Sequence, residues 1–352
     1  MEFSGLIGNY HTKRPLTEQE RGHRLKQTHR LNLNPRDQLC VVELNSTFLE
    51  SVDKWFAWKG TISAVALILF AMFVGGLGGI SAMWLLDAAA PTTTPEDSGF
   101  WLANGLGMGF VALCCGAVST WLLRKECFAF THYPIRFNRK TRMVHVFRKN
   151  GTVLSVSWDE VFFTLGHLAQ WDEYEVRGHV LEADGITVRE TFALSYLGSL
   201  SPEDAQLNRT QYSAEDYVRA HWEFVRRYME DGPQAVVGLV KFCMPVNGRR
   251  ERFRIGVERV FANIAGAPHV IFCMLVPFCV VVSLFRPIAM RTSKIPSWTT
   301  AVEGESTVNP NDPYAISGDA NGDPVHVGGG PKTPISSTIA RKTRMGPGLA
   351  KK

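Results

Sequence analysis

Two stretches of this chain, 61–86 and 100–123, contain no charged side chain. Each is long enough to cross a hydrocarbon core of about 30 Å as a helix. Only a short loop, DAAAPTTTPEDSG, lies between them. No other feature constrains the fold as strongly, and the pair predicts a hairpin of two transmembrane helices. The average composition, 45% hydrophobic and 20% charged, hides this because the apolar residues are bunched. The first run follows a long polar segment and is not expected to be a cleavable signal. Glu2 rather than Gly follows Met1, so no lipidation box is expected.

Charge sets the expected orientation. The loop holds Asp87, Glu96 and Asp97 and no Lys or Arg, whereas Lys54 and Lys59 precede the first run. Arg124 and Lys125 follow the second, and residues 124–149 hold eight basic side chains against one acidic, Glu126. The excess of Lys and Arg predicts that the N-terminus and everything after Arg124 lie in the cytoplasm. Trp55 and Trp58 at the start of the first run, Trp84 near its end, and Trp101 and Trp121 at the ends of the second fit the two water–lipid boundaries. Arg124 and Lys125 are the expected cytoplasmic anchors.

Small residues recur at packing distance: Gly75 and Gly79, Gly105 and Gly109, Ala112 and Gly116. Such stripes let helix backbones approach closely in lipid. They predict that the two helices pack on each other, with homo-oligomerisation through the same stripe as the alternative. No ionisable residue lies mid-run, which disfavours a transporter. A third apolar stretch, 264–285, is interrupted by Pro268 and Pro277. Full crossing would carry the tail to the far side, and a re-entrant path would return it. Basic residues are in excess before the stretch, which favours full crossing.

The soluble parts divide as follows. Residues 1–60 read as a cytoplasmic amphipathic preface, with Thr17 and Glu20 in a capping-box pattern and Arg21, Arg24, Lys26 and Arg30 on a polar helix. Residues 124–232 carry alternating strands at 135–137, 143–147, 153–158, 161–164, 174–181 and 186–194. Asn150-Gly151 and Asp184-Gly185 supply hairpin chemistry. Ser213 caps a following helix whose Val218, Trp222, Val225 and Met229 share one buried face. The expected fold class is α+β: a transmembrane hairpin plus an antiparallel barrel of pleckstrin-homology (PH) type closed by a C-terminal helix. Residues 233–263 form a basic amphipathic juxtamembrane segment, with Phe253, Val257, Val260 and Phe261 on its apolar side. Residues 286–352, rich in Gly and Pro, read as a disordered tail.

The stretch YPIRFNRKTRMVHVFRKNGTVLSVSWDEVFF resembles bacterial membrane-anchored PH-like domains. Together with RPLTEQER, VDKWFAWKG and the hairpin, the layout over 14–260 is similar to a proteobacterial family of unknown function, DUF6708. The resemblance implies an inner-membrane protein encoded near type VI secretion or other contact-dependent toxin systems, in an immunity or accessory role. That family has no established catalytic motif, so the resemblance assigns no functional residue.

Other motifs carry little chemistry. In GGGPKT at 328–333, Pro331 breaks the triplet a phosphate loop requires. Asp319, Asn321 and Asp323 mimic a calcium loop, but Pro324 stands where Gly is needed. Trp158, Asp159 and Glu160 read as a strand bend, with the Trp in the core. His145, His167 and His179 have no partners at metal-ligand spacing. Seven cysteines without a CxxC pair read as reduced thiols. No catalytic, cofactor or metal site and no nucleic-acid partner are expected. The sequence points to a non-enzymatic protein touching membrane lipids and a protein partner, a secreted toxin in the sharpest version. A lipid-sensing scaffold and a membrane enzyme with an unrecognised site are the alternatives.

Overall fold

The computed structural model describes residues 10–90, 94–168, 173–194, 213–264 and 268–321. The chain divides into two compact units. One comprises Met1–Ala57, Thr131–Pro277 and Ile295–Lys352, and the other Trp58–Phe130 and Phe278–Lys294.

The first unit is built on two antiparallel sheets. Strands β1 (Arg14–Pro15), β7 (Phe162–Leu168), β8 (Glu173–Leu181) and β9 (Thr187–Ala193) form a sheet in the order β1-β9-β8-β7. Strands β2 (Val41–Leu44), β3 (Phe48–Ser51), β4 (Ile135–Asn138), β5 (Met143–Phe147), β6 (Val153–Ser157) and β10 (Ile316–Ser317) form the other, in the order β10-β2-β3-β4-β5-β6. Alternation sends Val144, Val156, Val176 and Val180 into a core shared by both sheets. Asn150 accepts from the Thr152 amide, and Asp184 from the amides of Ile186 and Thr187, which closes the expected turns. Helix α5 (Ala214–Asp231), capped by Ser213, lays Val218, Trp222, Val225 and Met229 on that core. Trp222 stacks on Trp158 at 5.5 Å between centroids and meets Phe163 at 4.6 Å. This aromatic cluster removes several hundred Å² of apolar surface from water, at about 25 cal/mol per Å².

Two expectations change here. Residues 1–60 are not a separate preface: β3 pairs with β4 in register Leu49↔Phe137, so the hairpin sequence is spliced between neighbouring strands of one sheet. Residues 31–40 also wrap α5, through Arg36 N to Ala220 O and Gln38 Nε2 to Tyr217 O. The Thr17–Glu20 capping box forms, but helix α1 is only Glu18–Gly22, so Arg24, Lys26 and Arg30 lie beyond it. Likewise, the tail expected to be unstructured from 286 continues as helix to Thr292, then forms α8 (Thr300–Glu305) and β10. Strand β2 supplies the open edge that Ile316 and Ser317 need, at Leu44 and Glu43. GGGPKT and Asp323 lie outside the described residues.

Helix α6 (Phe253–Ala262) follows in the first unit. It turns Val260 inward as expected but leaves Phe253 exposed and buries Arg259, whose guanidinium donates to Leu39 O at 2.9 Å.

The second unit contains helices α2 (Thr61–Phe70) and α3 (Gly78–Ala88), joined by a π-helical segment Ala71–Leu77, and the long α4 (Pro95–Glu126). The end of α7 (His269–Thr292) joins them. Three helical segments, Phe56–Ala88, Pro95–Glu126 and His269–Thr292, are long and apolar enough to cross a membrane.

Candidate functional site

The first unit holds a cleft of about 490 Å³ lined by residues of β4, β5 and β9 and by Asp53–Trp55. Four cations line it, Lys54, Arg148, Lys149 and Arg189, against two carboxylates, Asp53 and Glu190. Asp53 is already engaged, accepting from the amides of Tyr133 and Trp55 at 2.8 and 3.0 Å. Arg148 grips Glu190 with two bonds of 2.6 Å, a bidentate geometry that fixes the guanidinium. Lys54 pairs with the buried Glu175 and lies 4.5 Å from the Trp55 ring. The net charge of the lining is therefore positive.

A smaller pocket of about 250 Å³ shares Tyr10 and Thr191 with the cleft. Period-two alternation explains it: Val176 and Val180 of β8 face the core, which turns Glu175, Arg177 and His179 to the other face. There Arg14 binds Glu20 bidentately at 2.8 and 2.6 Å, and Thr17 N adds a bond of 2.9 Å. Burial opposes the Glu20 charge, but Arg14 and the Thr17 amide outweigh it and hold the carboxyl down at about 2. His179 is buried, with Nδ1 2.8 Å from Thr191 Oγ1 and Nε2 3.3 Å from Glu20. Burial pushes its ring down to about 4 despite the nearby carboxylate. At neutral pH this is a locked network around a neutral imidazole.

Sequence reasoning missed one pair with reactive spacing. Cys40 Sγ lies 3.7 Å from His221 Nε2, while His221 Nδ1 meets Arg36 O at 3.1 Å. Both side chains are buried, and burial pushes His221 down to about 4. The arrangement packs α5 against residues 36–40. Neither residue had any local signal, because 181 positions separate them.

The other named residues fall into place without a reactive cluster. Trp158 is buried and donates to Glu230 at 2.7 Å, while Asp159 pairs with Arg142. His145 is buried against Ser155, and His167 stacks on Tyr174. Asn321 is occupied by the Cys243 backbone and Asp319 by Arg249. No group of His, Cys, Asp or Glu able to hold a metal ion occurs among the described residues.

In the second unit the small residues of α4 meet the first helix as expected. A side chain at Gly105 would strike Leu85, at Gly109 Ser81, and at Gly116 Val74; Ala112 is buried. Gly75 and Gly79 each face open space and do not meet α4. Val74, Gly78, Ser81 and Leu85, at the 4-3-4 spacing of one helix face, meet α4 instead. Ser81 adds a hydrogen bond of 2.6 Å to Gly105 O. Trp84 and Trp101 pack together at 5.6 Å beside the short loop. At the other end Trp58 and Trp121 are exposed, as are Arg124 and Lys125, with the Lys125 ammonium 5.2 Å from the Trp121 ring.

That end also carries a polar closure the sequence did not announce. Glu126, buried at the end of α4, accepts from Gly60 N, Ser63 N and Ser63 Oγ at 2.6–2.7 Å. Its carboxylate thus caps the orphan amides at the start of α2. Lys59 Nζ reciprocates on α4, donating to Glu126 O and Phe130 O at 3.0 and 2.8 Å. Arg286 of α7 donates to Lys59 O at 2.9 Å, and its backbone crosses Gly60 so closely that a Cβ there would lie 2.7 Å away.

These features define an α+β chain whose two-sheet unit bears a basic cleft and whose second unit contains an apolar helical hairpin. The model of the family of unknown function DUF6708 matches residues 112–310, and the chain belongs to that family. The matched segment starts within α4, so β2 and β3 precede it. No curated protein and no solved structure matches the chain.

Proposed function

We propose that this is a non-enzymatic protein of the bacterial inner membrane that holds an acidic protein partner in the cleft of its cytoplasmic unit. The cleft carries the reading: four cations, Lys54, Arg148, Lys149 and Arg189, line it against two carboxylates, Asp53 and Glu190. Two antiparallel sheets around one core, closed by α5, support a PH-like plan for that unit. The acidic 87–99 loop and the basic flank after α4 support a cytoplasmic location for it. Within this reading, an immunity or accessory role beside a contact-dependent toxin system is the specific version, with the toxin as the acidic partner.

Photo-crosslinking tests the proposal. A benzophenone amino acid at the exposed Asn150 of the cleft should give a discrete protein adduct in the native host. The adduct should disappear in the double variant Lys149→Glu, Arg189→Glu. An adduct with lipid alone would transfer the cleft to a headgroup-sensing role. An adduct insensitive to both charge reversals would overturn the electrostatic basis.

A further inference from the structure

Strand β2 receives partners from both sides of helix α7. Before α7, Met244 N donates to Val41 O at 2.6 Å and Arg259 donates to Leu39 O. After α7, Ile316 and Ser317 pair with Leu44 and Glu43. The two flanks also bond to each other: Asn321 accepts from Cys243 N at 2.9 Å and donates to Cys243 O at 2.7 Å, and Arg249 meets Asp319 at 2.8 Å. Hydrogen bonds of this length cannot pass through about 30 Å of hydrocarbon. An element whose two flanks both bond to residues 39–44 crosses a membrane an even number of times, and a single helix cannot cross twice.

We infer that α7 is a re-entrant membrane element, entering lipid and leaving it on the side where the sheets lie. This rests on the membrane reading of the hairpin proposed above. Residues 270–285 contain no charged side chain. A helix lying in the headgroup plane needs a polar face, and this one has none to offer water. Its first half is exposed on several sides, with Val270 73% and Met274 75% exposed, and its occupant is the acyl region of the bilayer. Its second half turns Cys279, Val282, Arg286 and Ala289 inward and is tied to the base of the hairpin through Arg286–Lys59, Ser293–Glu126 and Lys294–Ala129.

Asn263 donates to Ala57 O at 3.0 Å, beside the start of the hairpin. The six steps from Asn263 to His269 reach at most about 21 Å, enough to start the helix deep in the bilayer but not beyond it. Of the five Arg residues before α7, Arg249 and Arg259 serve contacts within the sheet unit.

The test uses the full chain with epitope tags before Met1, within the loop after Ala90, and after Lys352, in sealed vesicles treated with an impermeant protease. The two terminal tags should share one fate and the loop tag the other. A phenyl-trifluoromethyl-diazirine, which reacts from the hydrocarbon phase, should label peptides of 269–285 within a few-fold of the hairpin peptides. A C-terminal tag that follows the loop tag would overturn the inference in favour of full crossing. Absence of label in α7 while the hairpin is labelled would overturn it in favour of a dry helix. All three tags sharing one fate, with the hairpin unlabelled, would instead overturn the membrane reading itself.

Discussion

The two units solve the packing problem with opposite materials. The sheet unit is held by large side chains: Trp158, Trp222, Phe163 and Tyr228 are all essentially buried, and its charges are paired in place, as in Glu223 with Arg226 and Arg227. The hairpin is held by small ones, Gly105, Gly109, Ala112 and Gly116 against Val74, Ser81 and Leu85. Water drives the first kind of burial. On the membrane reading proposed above, that drive is absent between the helices, and close backbone approach with a few hydrogen bonds replaces it. The polar closure at Glu126 belongs to neither regime. It sits where the helices of the second unit end and satisfies amides that no side chain of their own reaches.

This contrast can be broken by substitution. Trp222→Ala should have the largest effect, roughly 3–5 kcal/mol, because it removes the ring on which Trp158 and Phe163 close. Chemical denaturation of the full chain in detergent would measure it, and an unchanged midpoint would mean α5 is not docked there. Glu126→Ala should follow, at about 2–3 kcal/mol, since it leaves the Gly60 and Ser63 amides buried without an acceptor. The loss should appear as a lower thermal midpoint of the hairpin.

Gly109→Leu and Gly116→Leu should each cost about 1–3 kcal/mol through overpacking, whereas Gly75→Leu and Gly79→Leu should leave the midpoint unchanged. A loss at Gly79 equal to that at Gly109 would show that Gly79 packs against α4.

The smallest effect concerns pH. His179 is neutral when folded, with a value near 4, while an unfolded histidine takes up a proton near 6.5. On acidification the unfolded chain therefore binds the proton first, so stability should fall between about pH 6.5 and 4. His221 acts with the same sign. His179→Gln should flatten part of that slope, by on the order of 1–2 kcal/mol across the window. An unaltered slope would show that His179 is solvated.

How much of this was written in the sequence depends on the range of the signal. The strands at 143–147 and 174–181 and the buried face of α5 follow from local alternation and helical spacing, and they stand where expected. The loop-side aromatics and the α4 stripe were equally plain. What escaped was everything set by distant pairing. The pairing of residues 41–44 left no local signal, because their partners β3 and β10 include a tail segment more than 270 positions away. Glu126 looked like a lone acid in a basic stretch, and its role needs Gly60 and Ser63, over 60 residues earlier. Gly75 and Gly79 have the right spacing for a packed face but lie one position along from the residues that meet α4, and spacing alone does not say which face turns inward. The cleft could not be foreseen, since Lys54, Arg148 and Arg189 are brought together only by the two sheets.

The central claim is that the segments before the hairpin, after it and after α7 make one sheet. Hydrogen–deuterium exchange of the full chain in lipid nanodiscs tests this most directly. Peptides covering β2–β3, β4–β5 and β10 should all exchange slowly, and Trp222→Ala should speed all three together. Peptides of β2–β3 or β10 exchanging at the rate of an unstructured chain, while β4–β5 stays protected, would contradict it.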